Sequence, residues 1–148
     1  MIEDSSKLPN VLADGLSIGT GEETTISLKM SETKRLKAPY GSKCEDSIAN
    51  EEVKLLYDSD SRYSAKSCNG LCYIVNAINI CGCYVAEEVG GIRLDKYNEL
   101  SGNVSYCNTT EQRECIKIMT VKSNTANKIY DTCDCDPECH GINYKVLK

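Results

Sequence analysis

The chain has 148 residues, of which ten are cysteine and nine are tyrosine, with no Phe and no Trp. Leu, Ile and Val make up about a fifth of it, close to the composition at which disorder becomes the default, so the apolar core is thin and staples must make up for it. The net charge of -5 is spread as interspersed acids and bases, which argues against a nucleic-acid partner or a polybasic membrane patch.

In chain order, residues 15–19 (GLSIG) and 24–30 (TTISLKM) alternate apolar and polar positions and read as strand, turn, strand. Ile26, Leu28 and Met30 share one face of the second. That face needs a covering layer, and residues 1–43 offer no amphipathic helix, so its packing partners are expected outside this chain. Residues 35–41 (RLKAPYG) break the pattern, because Pro39 biases Ala38 away from helical backbone and Gly41 permits a turn.

From Tyr63 to Cys81 the period is that of a helix, with Cys68 and Cys72 one turn apart and Leu71, Ile74, Val75 and Ile78 as the adjoining apolar stripe. A second helix is predicted over about 110–122, where Thr109 and Gln112 have capping-box spacing and Cys115, Ile118 and Met119 share a face. Between them, residues 84–106 read as an exposed excursion closed at its base by cysteines. Residues 142–147 alternate weakly and read as a returning strand.

All ten cysteines lie between Cys44 and Cys139, a density that belongs to an oxidising compartment. Yet no stretch reaches the roughly 18 apolar residues of a membrane span, and MIEDSSKLPN is acidic and polar, unlike a signal peptide. Either the cysteines bind metal in the cytosol, or the chain is a piece of a longer protein. The spacing gives two C-x-C and two C-x3-C pairs without the C-x2-C knuckle of zinc sites, and the single histidine, His140, reads as a solvated loop residue. We therefore expect neither metal nor cofactor. Catalysis is not expected either, since no base is placed to activate a nucleophile. Pairing ten cysteines leaves on the order of a thousand connectivities, and spacing alone does not choose among them.

Three blocks carry a resemblance: YSAKSCNGLCYIVNAINICGC (Tyr63 to Cys83), YC-x7-C (Tyr106 to Cys115), and CDCDPEC (Cys133 to Cys139) followed by Tyr144. Together they resemble the extracellular thumb region of the degenerin/epithelial sodium channel family, which includes the acid-sensing channels. Upstream, GLSIGTGEETTISLKM resembles the family's palm strands, and KAPYGSKC resembles its Pro-aromatic-Gly-Cys lead-in to the thumb, with Ser42 and Lys43 as a departure before Cys44. The resemblance covers about residues 13–148.

It implies an α+β fold: a disulfide-laddered thumb of two main helices attached to antiparallel palm strands, as an incomplete ectodomain fragment. Residues 1–43 would be partial lower palm, 44–139 the thumb, and 140–148 a returning palm strand. Similar thumbs pair their cysteines as nested rungs, which carried over gives Cys44 with Cys139, Cys68 with Cys135, Cys72 with Cys133, Cys81 with Cys115, and Cys83 with Cys107. The spacings suit that ladder, since one helical turn covers about 6 Å and two residues of extended chain about 6.6 Å. The implied role is mechanical, the thumb carrying ectodomain movement to a sodium pore. The implied partners are the sodium ion, two further subunits in a trimer, and transmembrane helices of the same subunit outside this chain. The expected location is the extracellular face of the plasma membrane.

Tyr40 occupies the place of the aromatic that packs against the first transmembrane helix in similar channels, so it is the candidate for gating coupling. Asn103 and Asn108 begin N-x-S/T sequons and are candidate glycosylation sites. Acid sensing is not expected, because residues 116–121 (IKIMTV) lack the carboxylates that acid-sensing relatives carry just after this cysteine. Glu111, Glu114, Asp134, Asp136 and Glu138 read as solvated charges, with a calcium cluster as the weaker alternative. The alternative to a channel segment is a freestanding secreted disulfide-rich binding or inhibitory protein.

Overall fold

The computed structural model describes residues 16–37, 39–41, 43–57, 61–85, 94–126 and 133–147. Its elements run β1 (Ser27–Lys34), α1 (Glu51–Leu56), α2 (Ala65–Cys81), β2 (Cys83–Tyr84), α3 (Leu94–Ser101), β3 (Ser105–Tyr106), α4 (Thr110–Ala126) and β4 (His140–Leu147). This is an α+β architecture, with α1 and α4 packed on α2, α3 packed on α1, and an antiparallel ribbon of β1 with β4.

The ribbon runs in register from Ser27 opposite Leu147 to Lys34 opposite His140. Directly opposed residues of an antiparallel pair share a face, so Leu28 with Val146 and Met30 with Tyr144 form one apolar strip. All four are exposed, and no described residue covers them. Two expectations are corrected here. Residues 16–19 form no strand, Gly15 lying outside the described residues, and β1 begins at Ser27 rather than Thr24. The ladder starts only at the Ser27–Leu147 pair, and a segment without a paired neighbour has nothing to hold its backbone extended. For the same reason β1 continues past Met30 to Lys34, because β4 supplies partners as far as His140.

Helix α2 is the centre of the molecule. The Ser64 hydroxyl accepts from the Ser67 N–H at 3.1 Å and starts it, and Gly82 stops it in the left-handed region at φ 67°, donating to the Ile78 carbonyl at 2.9 Å. One face buries Cys68, Leu71, Cys72, Ile74, Val75 and Ile78 in a core shared with Ile48, Val53, Leu56, Tyr63 and Tyr97. The opposite face sets Tyr73 and Ala77 against Met119, with Ile116 at the edge.

Val53 and Leu56 come from α1, which is too short to show a readable period. Asn50 caps it, accepting from the Val53 N–H at 3.0 Å, while Glu51 and Glu52 occupy the first turn, where the helix favours negative charge. Tyr97 comes from α3, inside the segment expected to be an exposed excursion; residues 86–93 of it lie outside the described residues, and the rest is largely exposed, so the correction is confined to the helix and its buried Tyr97. One large ring, 2% exposed, draws that short helix onto the core. Parallel pairing of β2 with β3 closes the base of the excursion. The packed stripe of α4 is also corrected: Met119 is buried, but Ile118 is 49% exposed and Ile116 takes its place against α2.

Candidate functional site: the disulfide ladder and its junction with the ribbon

Five bridges join Cys44 to Cys139, Cys68 to Cys135, Cys72 to Cys133, Cys81 to Cys115 and Cys83 to Cys107, and no cysteine is free. These are the pairs that the resemblance implies. Successive turns of α2 present Cys68 and Cys72 to Cys135 and Cys133, with Cα separations of 5.7 and 6.0 Å. The partner segment is not extended, as the simple ladder assumed. It turns at Asp134, whose φ of 47° is left-handed, and the Asp136 N–H reaches the Asp134 carbonyl at 3.0 Å. A short polar side chain tolerates that conformation better than most.

Beyond Cys135 the chain is tied at nearly every residue. The Tyr63 hydroxyl donates to the Asp136 carbonyl at 2.6 Å. The Pro137 carbonyl accepts from the Glu45 N–H at 2.9 Å, and the Cys139 N–H donates to the Glu45 carbonyl at 3.2 Å. Arg35, just past the end of β1, donates its backbone N–H to the Cys139 carbonyl at 2.7 Å and its guanidinium Nη1 to the Glu138 carbonyl at 2.6 Å. Cys139 is bridged to Cys44, and β4 begins at the next residue, His140. The ladder thus passes into the ribbon without an intervening free segment.

Charge organises the junction. Burial pushes the Tyr63 phenol up to about 12, and the nearby Glu138, Asp136 and Glu45 carboxylates add to it, so the hydroxyl stays protonated and able to donate. His140 is corrected from a loop residue to the first residue of β4, where its Nε2 lies 2.7 Å from Glu32 Oε1 across the ribbon. This hydrogen bond, with further help from Lys34, holds the Glu32 carboxyl below its ordinary value.

Tyr40 sits on the turn leading to Cys44, where its N–H donates to the Lys37 carbonyl at 3.3 Å. Lys37 Nζ pairs with Asp46 Oδ2 at 2.8 Å, fastening that turn to the chain beyond Cys44. The Asp46 carboxylate holds the Lys37 ammonium above its ordinary value. The Tyr40 ring itself is 63% exposed.

The capping box at α4 is closed on both sides, Gln112 N–H to Thr109 Oγ1 and Thr109 N–H to Gln112 Oε1, each at 3.2 Å. Asn108, exposed beside it, donates its N–H to the same Gln112 oxygen, and Asn103 is exposed next to the positive-φ Gly102. Of the acidic residues, Glu114 pairs with Lys117 at 3.4 Å, Glu111 and Asp134 are exposed, and Asp136 and Glu138 line the junction through their backbone carbonyls. No group of three or more metal-binding side chains gathers among the described residues. Sequence reasoning missed Arg35, Glu32 and Tyr63, whose roles rest on partners 103, 108 and 73 residues away and leave no local pattern.

The family model described as "Amiloride-sensitive sodium channel" matches residues 1–147. The chain is 28% identical over 140 residues to degenerin unc-8 of Caenorhabditis elegans, an alignment covering 93% of this chain and 16% of that protein. It is 28% identical over 109 residues to epithelial sodium channel subunit gamma-2 of Xenopus laevis, covering 72% of this chain and 16% of that one. With epithelial sodium channel subunit alpha of Neoceratodus forsteri it shares 32% identity over 83 residues, covering 56% of this chain and 12% of that one. The chain spans about a sixth of the length of the first of these relatives. With five disulfides around a central helix and a model match over nearly its whole length, the chain belongs to the amiloride-sensitive sodium channel family.

Proposed function

We propose that this chain is an extracellular segment of a sodium channel subunit, in which residues 44–139 act as a rigid thumb and the β1–β4 ribbon belongs to the palm. The observation that carries the reading is the direct passage from Cys139 into His140. Displacement of α2 is handed through two bridges to residues 133–139, and through Cys44–Cys139 and Arg35 to both strands of the ribbon. Bridges and buried hydrogen bonds give little internally, so movement at one end is passed to the other.

Two exposed features support a larger assembly. The strip of Leu28, Met30, Tyr144 and Val146 suits a face covered by the rest of the palm, and a two-stranded ribbon is marginal without such a layer. The exposed Tyr40 ring suits contact with the first transmembrane helix of the same subunit. No described helix is long and apolar enough to cross a membrane, so in this reading the sodium path lies in other parts of the subunit, assembled with two further subunits. Asn103 and Asn108, both exposed, carry glycans on the outer surface.

The test is sodium current from the complete coding sequence expressed in oocytes, with and without the paired substitution Cys44→Ser and Cys139→Ser. The expected result is an amiloride-sensitive current whose response to stimulus falls sharply in the variant while surface protein persists. Flanking coding sequence without transmembrane helices, together with a secreted product, would establish the freestanding protein instead.

A further inference from the structure

The five bridges differ in access. Cys44, Cys139, Cys72, Cys133, Cys83 and Cys107 are all buried, and Cys68 is 1% exposed behind a half-buried Cys135. In Cys81–Cys115 alone, neither half is buried. Cys81 is the last residue of α2, between Ile80, which is 60% exposed, and the exposed Gly82.

We propose that Cys81–Cys115 is a thiol-exchange site, opened by small cysteine-containing peptides of the tripeptide-thiol class while the other four bridges stay closed. Exchange requires a thiolate to reach a disulfide sulfur, and this is the bridge in which neither residue is buried. The incoming thiolate R–S⁻ attacks Sγ of Cys81, forming Cys81–S–S–R and expelling Cys115 as thiolate. A second R–S⁻ attacks the outer sulfur of the adduct, releasing R–S–S–R and leaving the Cys81 thiolate. Both protein thiolates then take protons from water. Two electrons pass from the pair of external thiols to the bridge. Attack falls on Cys81 because it ends α2, where the last carbonyls disfavour a thiolate, so that Cys115, within the body of α4, is the better leaving group.

Opening this bridge leaves the rest of the fold intact. The buried contact of α4 with α2 consists of Tyr73, Ala77 and Met119, supported by a Tyr73 hydroxyl to Thr120 Oγ1 hydrogen bond of 2.8 Å. The chain ahead of α4 remains held by Cys83–Cys107, and the chain after it returns to Cys133 on the Cys72 bridge. Reduction therefore loosens the N-terminal half of α4 while the Met119 contact and both flanks stay in place, a local opening that spares the core around Leu56, Leu71 and Tyr97. This chemistry stands whether or not the chain is part of a channel.

The experiment treats the native-length protein, expressed through the secretory pathway, with reduced glutathione, traps free thiols with a maleimide at intervals, and maps the labelled peptides by mass spectrometry. Cys81 and Cys115 are expected to be trapped roughly tenfold sooner than the other eight cysteines, with the transient glutathione adduct on the Cys81 peptide. Another pair labelled first, or all ten labelled together, overturns the proposal. In a second arm, the variant carrying Cys81→Ser and Cys115→Ser should lose the fast labelling phase. A fast phase that survives there also overturns it.

Discussion

The Tyr63 hydroxyl and the Asp136 carbonyl, 73 residues apart in sequence, meet in a 2.6 Å hydrogen bond between the start of α2 and the segment that carries the ladder into β4. The ring is 4% exposed, so losing the donor leaves a part-buried carbonyl without that bond. Tyr63→Phe is expected to cost about 1–3 kcal/mol, read by denaturant unfolding with the bridges intact. Its phenol is raised in the fold to about 12 from an ordinary value near 10, so its contribution is complete below pH 10 and lost as pH rises through about 12. Ultraviolet titration should show a tyrosine ionising late in the wild type and missing in Tyr63→Phe; no change in either measurement would mean the contact is absent in solution.

His140 and Glu32 give a prediction at the acid end. Glu32 is held below its ordinary value first by the His140 hydrogen bond and then by Lys34. Its contribution is therefore complete above the unfolded carboxylate value and disappears as pH falls through the lower folded one. In His140→Ala the Glu32 carboxyl should titrate closer to the ordinary value, measured by carbon-detected NMR. An unmoved titration would assign the shift to Lys34 alone.

Leu56 tests an element with no readable signature. It is fully buried in the main core, and Leu56→Ala is expected to cost about 2–5 kcal/mol by loss of contact and creation of a cavity. A loss well below 1 kcal/mol would show that α1 does not pack on α2 as described.

The cap of α4 and the neighbouring sequon can be separated. Thr109→Ala removes the capping hydroxyl and keeps Asn108-x-Thr110, so stability should fall by about 0.5–2 kcal/mol with glycan mass unchanged. Thr110→Ala should do the reverse, removing the glycan proposed on Asn108 while the capping box stays closed. If Thr110→Ala leaves the mass of the secreted product unchanged, Asn108 carries no glycan.

On the proposed contact of Tyr40 with a transmembrane helix of the same subunit, Tyr40→Ala in the complete subunit should preserve surface expression and impair gating, because the exposed residue contributes little to local packing. Surface labelling combined with current recording checks both halves, and unchanged currents would remove Tyr40 from the coupling path.

The helical period up to Cys81 and the Thr109/Gln112 box that starts α4 were legible in the sequence, because both act within a few residues, whereas the Ser64 and Gly82 caps of α2 emerge only from the structure. The order of the cysteines was enough to suggest the family. What stayed hidden depends on distant partners. One buried ring, Tyr97, decides that a polar stretch becomes a packed helix, and a strand begins at Ser27 only because β4 lies beside it. Ile116 replaces Ile118 against α2 for a similar reason: the approach direction of the neighbouring helix, rather than apolarity, selects the buried face. At the junction, Arg35 and Tyr63 bind backbone carbonyls, which leave no mark in a sequence.

Peptide mapping of the complete subunit without reduction is the most direct measurement, because the proposed rigid transmission rests on the ladder. The account predicts five cross-linked peptide pairs, Cys44 with Cys139, Cys68 with Cys135, Cys72 with Cys133, Cys81 with Cys115 and Cys83 with Cys107, which together account for all ten cysteines. Ten reactive thiols with no mass deficit, or a Cys139 bonded to any partner but Cys44, would contradict it.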